Sequence, residues 1–428
     1  MQPINLLKGE CIAPPQDLVN NVLNNQIHCV IKFNNRINER TLEKAIKISL
    51  DIVPILVSNI VERAGKGLWQ KNIYEISEVF SLVITNKLDD EIMHFLRKPL
   101  NSSSDPMLFI RLFRGDHDTI CVKINHACTD GGGLKHYVHL LSSIYTALIS
   151  KESINFPKLD GERGQKQVFN ALSISNPLTA WDKSSSEVQQ KWAFPSVPGE
   201  DYSVNYMIEQ ILPTQLQLLK VFAGNLGVTI NDLLLSAYFR SLFKMLTPQE
   251  NELFPIGVTV DLRRYLPKKK AEAICNLSSS VSIQITCNNN EFIEETLLKV
   301  FQETRKAKEN NPGLNGAIVF EMLGGMGIPK LHSHFQKTNK ISKELRKYNP
   351  TLSNFGQVSK EPILFGTTPA ASIYIISPVM SSPSFMLGAS TYQDILTLTV
   401  GFYESTTLSS DVSYFLDLFK SELLSFIN

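Results

Sequence analysis

The 428-residue sequence has no excess of charge of either sign. Lysine and arginine total 42 and aspartate and glutamate total 41, which gives a formal net charge of +1. A protein that binds nucleic acid through its phosphates needs a concentrated basic field, and this balance argues against one. We therefore expect no nucleic acid among the partners of the chain.

Cysteine is scarce. The six residues form no CxxC pair and do not stand beside histidine at the spacing of a metal site, so we predict no bound metal. Six cysteines are also too few for a disulfide framework in a chain of this length, which favours reduced thiols in a cytoplasmic protein. They are Cys11, Cys29, Cys121, Cys128, Cys275 and Cys287.

Long apolar runs are missing as well. A membrane helix needs about 20 apolar residues in succession, and no run in the sequence approaches that length. The opening segment MQPINLLKGECIAPPQD lacks the basic start and apolar run of a signal peptide, so we expect neither a membrane span nor secretion. The length exceeds the roughly 250–300 residues that one hydrophobic core can serve, which predicts two domains.

Two hydrophobic periods meet at the stretch INHACTDGGG, residues 124–133. The preceding segment DTICVKIN predicts a strand that ends at Asn125. Leu134, Val138 and Leu141 follow at spacings of three and four, which predicts an amphipathic helix. The stretch is thus a strand-to-helix junction, where rigid elements commonly position functional groups.

Strand and helix patterns alternate along most of the chain. Residues 26–34 predict a half-buried strand with Ile27, Cys29 and Ile31 on its core face. Around residues 151–204 the periodic pattern weakens and Pro, Ser, Lys and Gln become common, which indicates a crossing between domains. We predict an α/β class with mixed sheets, divided into an N-terminal half at 1–165, a crossover at 166–204 and a C-terminal half at 205–428.

The chemistry of the junction centres on His126 and Asp130. Histidine suits a general base near neutral pH, because its reference pKa is about 6.5. A backbone carbonyl or Asp130 could fix the second ring nitrogen, or Asp130 could instead hold the loop by pairing with an arginine. The three glycines that follow let a bulky ligand pass close to the backbone. The spacing by itself leaves a catalytic base and a structural histidine both open.

The segment KINHACTDGGGLKHYVHLLSSIY resembles the HxxxDG motif of the chloramphenicol acetyltransferase-like superfamily. That group includes alcohol acyltransferases, plant and polyketide-associated acyltransferases, and condensation domains of nonribosomal peptide synthetases. Further segments resemble the family in the same order along the chain: RTLEKAIKISLDIVPILVSNI, GVTINDLLLSAYFRSL, GVTVDLRRYLP and LTLTVGFYES. The resemblance implies two similar α/β halves around a central tunnel.

By this resemblance His126 is the general base that takes a proton from a hydroxyl or amine acceptor. Asp130 would brace the loop through a salt bridge, for which Arg263 and Arg264 are the candidates. If their segment is an extended strand, the two arginines point to opposite faces and only one can be the partner, with Arg263 favoured. Gly131 would permit a sharp turn and close approach of a pantetheine arm.

The same reaction needs a donor for the oxyanion of the tetrahedral intermediate. Ser278, Ser280 and Asn276 are the candidates, and alternation along a strand places the two serines on one face. The resemblance implies an acyl-coenzyme A or phosphopantetheine thioester as co-substrate and no permanently bound cofactor. The partners would be a small-molecule acceptor and the acyl thioester, which an acyl carrier protein could carry.

The sequence departs from two branches of the family. Peptide-forming condensation domains usually carry a second histidine directly before the catalytic one, where this chain has Asn125. The plant enzymes carry a DFGWG segment, and the nearest likeness here, LSNFGQV at 352–358, lacks the tryptophan. No adenylation or carrier domain adjoins the segment, so we expect a stand-alone protein.

The leading hypothesis is an acyltransferase acting on a hydroxyl or an amine. The first alternative is a stand-alone condensation enzyme that forms an amide. The second, from another class, is a catalytically silent binding module on the same fold. Cys128, two residues after His126, leaves a cysteine nucleophile as a further reading of the junction.

Overall fold

A computed structural model describes residues 10–153, 155–182, 188–286, 288 and 290–427. Its helices are α1 Pro15–Leu23, α2 Glu39–Ile52, α3 Ile76–Val79, α4 Leu88–Arg97, α5 Gly131–Ser150, α6 Lys166–Ala171, α7 Pro213–Leu226, α8 Ile230–Leu246, α9 Ile293–Glu309, α10 Leu314–Gly324, α11 Ile328–Leu345 and α12 Ser409–Leu424. Its strands are β1 Glu10–Ile12, β2 Gln26–Phe33, β3 Ser58–Arg63, β4 Lys66–Lys71, β5 Phe80–Ile84, β6 Leu108–Arg114, β7 Asp118–Asn125, β8 Val204–Ile211, β9 Leu253–Asp261, β10 Ser278–Thr286, β11 Thr351–Gln357, β12 Leu364–Phe365, β13 Thr368–Ile376, β14 Met386–Tyr392 and β15 Ile395–Tyr403.

These strands form two large sheets and one small one. The first sheet has the order β12-β13-β2-β7-β6-β5, and the second has the order β10-β9-β11-β14-β15-β8. Both are mixed, because β5 runs parallel to β6 in the first sheet and β11 runs parallel to β9 and β14 in the second. The small sheet has the order β1-β4-β3. The predicted α/β class with mixed sheets is confirmed.

Each large sheet carries its own hydrophobic core. In the first core, side chains of β2 and β7 meet buried residues of α2 and α5. In the second, the apolar faces of α8 and α12 cover strands of the second sheet, with Tyr238 and Phe415 fully buried between them. Trp192, in the predicted crossover, stacks on Phe243 with ring centroids 5.5 Å apart. The crossover therefore contributes to the second core.

Strand β13 joins the two sheets. It lies in the range predicted as the C-terminal half, yet it pairs with β2 of the first sheet, where Ile375 is opposite Cys29. The Ile375 amide also donates to Ser390 Oγ on β14 of the second sheet, at 3.1 Å. The boundaries at residues 165 and 205 stay a prediction, since the chain crosses between the sheets a second time after them.

Both faces of β2 are buried, so the prediction of a half-buried strand is wrong. Ile27 and Cys29 lie in the first core as expected, but His28 and Val30 on the opposite face are also inaccessible. That face meets the second half of the chain, where the rings of His28 and Tyr206 are 5.6 Å apart. A strand covered on both faces loses the polar alternation on which the prediction relied.

The helices also bear on the membrane question. Within the described residues, no single helix has the length and apolarity of a membrane span. Helices α7 and α8 have that length and apolarity only when taken together, and the pair is bent by 103° at the break between the two helices.

The cysteines form no disulfide among the described residues. Five of the six are free thiols, and Cys287 lies outside the described residues.

Candidate active site

The loop between β7 and α5 is fixed from its first residue. All eight residues of β7 are buried, and the strand ends at Asn125. The side-chain oxygen of Asn125 accepts from the Ala127 amide at 2.9 Å, and its carbonyl accepts from the Cys128 amide at 2.9 Å. The His126 amide donates to the carbonyl of Asn25 at 2.8 Å. Strand and turn together therefore determine where the imidazole of His126 lies.

His126 lines a cavity of about 380 Å³, to which the loop after β7 of the first sheet and strands of the second sheet contribute. The loop and the first turns of α5 form one side, and residues of β9, β10 and β11 form the other. Phe320 and Met386 add apolar surface, whereas Thr259, Ser353 and Asn354 add hydroxyl and amide groups. The predicted central histidine thus faces a space between the two halves.

The ring of His126 has one nitrogen available to this space. Nδ1 is buried without a hydrogen-bond partner from any other residue of the described chain. Because the side chain lines the cavity and Nδ1 is covered, Nε2 is the nitrogen that can meet a ligand. Burial lowers the pKa of His126, although the charge of Asp130 and the residue's own carbonyl act to raise it. The imidazole is therefore held in its neutral, proton-accepting form at neutral pH.

Asp130 turns away from the imidazole and is engaged on both of its oxygens. Oδ1 accepts from the Gly133 amide at 2.9 Å and caps α5, while Oδ2 accepts from the Leu277 amide at 2.7 Å and from Arg263 Nη1 at 2.9 Å. Burial alone would raise the pKa of Asp130, but the charge and hydrogen bond of Arg263 and these two amides hold it below the usual value. Asp130 is therefore a brace of the loop that is charged at neutral pH.

Of the two candidate arginines, Arg263 forms this ion pair. Its Nη2 also donates to the Cys275 carbonyl at 2.8 Å, and its side chain is only 10% exposed. The assumption of an extended strand is wrong here, because Leu262–Tyr265 is a 3₁₀ turn that follows β9. Arg264 is exposed, and its guanidinium lies 5.8 Å from the ring centre of Tyr265. The turn, rather than strand alternation, separates the two arginines.

The three glycines that open α5 each allow a close contact. A Cβ added at Gly131 would lie 2.3 Å from the ring of Phe355, and one at Gly132 would lie 2.6 Å from Arg263 Nη1. One at Gly133 would lie 2.0 Å from Thr129 Oγ1. Gly131 is the first residue of the helix, without a positive φ, so it serves packing against Phe355 rather than the sharp turn that was predicted.

The three candidate oxyanion donors differ in position. Ser278 and Ser280 both line the cavity from β10, and their hydroxyls have no hydrogen-bond partner among the described residues. Asn276 is fully buried behind the loop, where its Nδ2 donates to the carbonyls of His126 at 2.8 Å and Ala127 at 2.9 Å. The prediction of Asn276 as an oxyanion donor is wrong, because its amide is committed to these backbone oxygens.

A second buried ion pair behind the loop was not predicted. Arg163 Nη2 lies 3.0 Å from Asp17 Oδ2, and both side chains are almost inaccessible. Arg163 also donates to the Cys128 carbonyl at 2.9 Å, and Asn276 donates to Asp17 Oδ1 at 3.1 Å. Asp17 lies in the first turn of α1, two residues after Pro15, and Arg163 lies between secondary-structure elements. Neither position belongs to a pattern of hydrophobic periodicity, so the sequence did not indicate this ion pair.

Cys128 does not fit the role of a nucleophile. Its thiol is fully buried, with Sγ 3.6 Å from the Ile55 carbonyl, and burial raises its pKa. A nucleophilic cysteine needs access and a stabilised thiolate, and this thiol has neither. Among the described residues there is also no group of three or more His, Cys, Asp or Glu side chains that could hold a metal ion.

A family model described as the condensation domain matches residues 24–310 of the chain. A search of curated protein sequences found no significant match. Among solved structures, a trichothecene 15-O-acetyltransferase from Fusarium sporotrichioides is 14% identical with a TM-score of 0.72, covering 98% of this chain and 95% of that chain. The polyketide synthase associated protein 5 from Mycobacterium tuberculosis is also 14% identical with a TM-score of 0.70, covering 99% and 98%. The first condensation domain of the CDA synthetase is 11% identical with a TM-score of 0.70, and the alignment covers 97% of this chain and 94% of that domain. These three structural likenesses confirm the predicted fold.

Proposed function

The chain belongs to the condensation-domain family, and from this premise we propose that it is an acyltransferase with His126 as its general base. Membership gives the chain a transferase role in acyl transfer or condensation. Our finer proposal is transfer of an acyl group from a thioester to a hydroxyl or an amine. The observation that carries it is the position of the His126 imidazole on a cavity between the halves, with Asp130 fully engaged elsewhere.

In the proposed reaction, Nε2 of His126 takes the proton of the acceptor O–H or N–H. The acceptor oxygen or nitrogen forms a bond to the thioester carbonyl carbon, and the carbonyl electrons move to oxygen. The oxyanion then collapses, the carbon–sulfur bond breaks, and the thiolate takes the proton from the imidazolium. The products are an ester or amide and a free thiol, and the neutral base is restored.

Ser278 and Ser280 are the proposed donors to the oxyanion. Both residues line the cavity, and neither hydroxyl has a hydrogen-bond partner among the described residues. A donor aimed at developing charge in a site shielded from water contributes about 3 kcal/mol to catalysis. Removing the serine hydroxyl that donates to the oxyanion should therefore lower kcat by about two orders of magnitude. Removing the other serine hydroxyl should have little effect on kcat.

The donor in this proposal is an acyl-coenzyme A or a phosphopantetheine thioester, and the acceptor is a small molecule. The structural likeness to a 15-O-acetyltransferase supports a hydroxyl acceptor. A cytoplasmic location, predicted from the scarcity of cysteine, is part of the same proposal. The second candidate is a stand-alone condensation enzyme that forms an amide. The match to the condensation-domain model favours it, and Asn125 in place of a second histidine weighs against it.

The test is an assay of thiol release. The protein is incubated with acetyl-, octanoyl- and palmitoyl-coenzyme A and with acyl groups on a carrier protein, each with a panel of alcohols and amines. We expect turnover by wild type and a fall of about 10²–10⁴-fold in His126→Ala, the usual contribution of a general base. His332→Ala, at an exposed position of α11, is the matched control and should keep full activity.

The outcomes separate the candidates. Release from coenzyme A thioesters supports the acyltransferase. Release only from carrier-bound acyl groups, with an amine acceptor, supports the condensation enzyme. An unchanged rate in His126→Ala would show that the base is assigned wrongly. If no thioester is ever consumed, the protein is a silent binding module, and both catalytic proposals fail.

A further inference from the structure

One wall of the cavity is a sheet face that carries hydroxyl groups. Ser280 of β10 lies opposite Thr259 of β9, and Gly257 of β9 lies opposite Thr351 of β11. Directly opposite residues, and every second residue along a strand, point to the same face of a sheet. Thr259, Ser280, Thr351 and Ser353 therefore share one face, and all four line the cavity. Three neighbouring strands thus turn hydroxyl groups toward the space that the imidazole also lines.

The backbone around the start of β11 holds two unoccupied hydroxyls, those of Tyr348 and Thr351. The Tyr348 amide donates to the Trp192 carbonyl at 2.8 Å, and the Thr351 amide donates to the Phe385 carbonyl at 2.9 Å. Both side chains are half-buried and line the cavity. Neither hydroxyl has a hydrogen-bond partner among the described residues. The fold therefore places two hydrogen-bonding groups before any ligand binds.

The side-chain amide of Asn25 is a third free group. It lines the cavity without a partner in the described part of the chain, and the carbonyl of the same residue accepts from the His126 amide at 2.8 Å. An aliphatic ligand would remove water from these three groups and leave them unpaired, which is unfavourable. A ligand hydroxyl both donates and accepts, so it can pair with each of them. The free groups therefore favour a ligand with hydroxyls besides the one that reacts.

The charged side chains of the cavity are already engaged. Asp130 and Asp261 both pair with Arg263, at 2.9 and 3.1 Å. The ammonium of Lys135 donates to the Phe355 carbonyl at 2.8 Å. Among the described residues, no further Lys, Arg, Asp or Glu lines the cavity. A charged ligand would lose its water there without gaining an unpaired counter-charge, so the cavity favours an uncharged one.

The size of the cavity limits the ligand as well. Small-molecule pockets usually measure about 300–1000 Å³, and this one measures about 380 Å³. In the proposed reaction the cavity must also admit the acyl end of the thioester. The space that remains suits an acceptor no larger than a monosaccharide.

We propose that the acceptor is an uncharged molecule with several hydroxyls, of the class of monosaccharides and small polyols. This inference rests on the proposed function of His126. One acceptor hydroxyl gives its proton to Nε2 and forms the ester bond to the acyl carbon, and the thiol leaves with that proton. The other hydroxyls are bound by Tyr348, Thr351 and Asn25 and do not react. These three side chains select the acceptor.

The first measurement compares acceptors that are matched in size. Thiol release by wild type is followed with myo-inositol against cyclohexanol, sorbitol against 1-hexanol, and glycerol against 1-propanol, and cyclohexylamine represents the amines. A site that binds substrate hydroxyls strongly rejects analogues that lack them. We therefore expect kcat/KM for at least one polyol to exceed that of its monohydric partner by about 100-fold or more.

The test variant is Tyr348→Phe with Thr351→Val, which removes both free hydroxyls and nearly keeps the shape of the cavity. Loss of binding shared by the ground state and the transition state raises KM and leaves kcat unchanged. We expect kcat/KM for the polyol to fall at least about tenfold, mainly through KM, and that for the monohydric partner to stay within about twofold.

The matched control is Tyr238→Phe with Thr119→Val. These hydroxyls also lack a hydrogen-bond partner within the described chain, but both are fully buried and neither residue lines the cavity. The control removes the same two chemical groups elsewhere in the fold. It should leave the ratio of kcat/KM between polyol and monohydric alcohol unchanged, whatever its effect on stability.

A binding measurement separates this inference from the proposed function. Saturation-transfer NMR with the three polyols and no thioester should show binding to wild type that is at least about tenfold weaker in the test variant. If wild type consumes no thioester, the proposed function fails, and this comparison still decides whether the cavity binds polyols.

Three results would overturn the proposal. The first is a wild type that prefers a monohydric alcohol or cyclohexylamine to every polyol. The second is a test variant that keeps the selectivity and polyol binding of wild type. The third is a wild type that neither acylates nor binds any of the polyols.

Discussion

At the scale of single residues, Asp130 shows how a carboxylate beside a proposed catalytic base can be excluded from the chemistry. Both of its oxygens are taken by donors, and only 3% of its side chain is exposed. It cannot orient the imidazole of His126 directly, as the acid of a catalytic triad does. Its role is to tie the start of α5 to the turn that carries Arg263.

We predict that Asp130→Asn destabilises the protein by about 3 kcal/mol, because it leaves the buried guanidinium of Arg263 with only the exposed carboxylate of Asp261 as an ion-pair partner. The measurement is the free energy of unfolding in urea, with thiol release followed on the same samples. The activity should fall together with the stability. A variant as stable as wild type and merely slower would contradict a bracing role.

The same residue predicts a pH dependence of stability. The pKa of Asp130 is lower in the folded protein than in the unfolded chain, so the unfolded state binds the proton more readily. Its contribution is therefore complete above the unfolded pKa of about 3.9 and is lost as the pH falls below that value. Unfolding midpoints between pH 7 and pH 3 should show a steeper acid loss in wild type than in Asp130→Asn. Parallel curves for the two proteins would contradict this prediction.

His126 predicts a pH profile of activity. Burial lowers its pKa, so the proposed base stays neutral below the reference value of about 6.5. The kcat/KM of thiol release should be level from pH 8 to about 6.5 and should fall only at lower pH, as the imidazole takes up a proton. An acid limb with a midpoint above pH 7 would show that the ring is not desolvated as described.

Residue by residue, the sequence could predict the motif but not what surrounds it. His126 and Asp130 lie in one short segment, and a resemblance can transfer their roles. Asp17 and Arg163 are 146 residues apart, and their contact exists only once the chain has folded. Arg263 and Arg264 were ambiguous because the turn after β9 could not be distinguished from a continuing strand.

At the scale of elements, the start of α5 is built from glycines that a helix would ordinarily disfavour. Gly132 is the informative position, because a Cβ there would meet Nη1 of Arg263, which Asp130 and Asp261 hold in place. The atom cannot move aside without breaking the ion pair that braces the loop. Close packing of α5 against this pair therefore outweighs helix propensity.

We predict that Gly132→Ala destabilises the protein by about 1–3 kcal/mol through overpacking. The matched control is Gly224→Ala in α7, where an added Cβ would meet nothing within 4 Å. That substitution should stabilise by about 0.5–1 kcal/mol, the usual gain from glycine to alanine within a helix. Thermal unfolding of both variants shows whether each substitution lowers or raises the stability. An equal increase in stability for both variants would show that Arg263 moves to accommodate the added methyl group.

Elements with a clear hydrophobic period were predictable, and elements without one were not. The hydrophobic pattern changes from the period of a strand in β7 to the period of a helix in α5. This change predicted both elements and the junction between them. Helix α1 was not predicted, because its buried residues include the polar side chains of Gln16, Asp17 and Asn20 and so do not form an apolar stripe. Helix α11 was not predicted for the opposite reason, since most of its residues are exposed and only Leu331 and Ser342 are fully buried.

At the scale of the whole molecule, β13 makes the two halves depend on each other. It completes the first sheet beside β2, although the crossover and most of the second half lie between these two strands in the chain. Sequence periodicity cannot reveal such a return, because pairing partners are not encoded in the local pattern. The predicted division into consecutive halves stays a prediction, and β13 is the part of the second range that pairs with the first sheet.

We predict that residues 1–204 expressed alone do not fold cooperatively, because β2 then presents an unpaired edge. Co-expression with residues 205–428 should restore a cooperative unfolding transition and a single species in size-exclusion chromatography. Circular dichroism during thermal unfolding makes the comparison. A fragment 1–204 that unfolds sharply by itself would show that the first sheet does not need β13.

The ion pair between Asp130 and Arg263 has a consequence for the making of the protein. On the ribosome, the loop with His126 emerges well before the arginine that braces it, and before the asparagine that orders its carbonyls. A chain that stops early would carry the motif in full without either support. In the proposed reaction, an unfinished molecule is therefore unable to consume acyl thioesters.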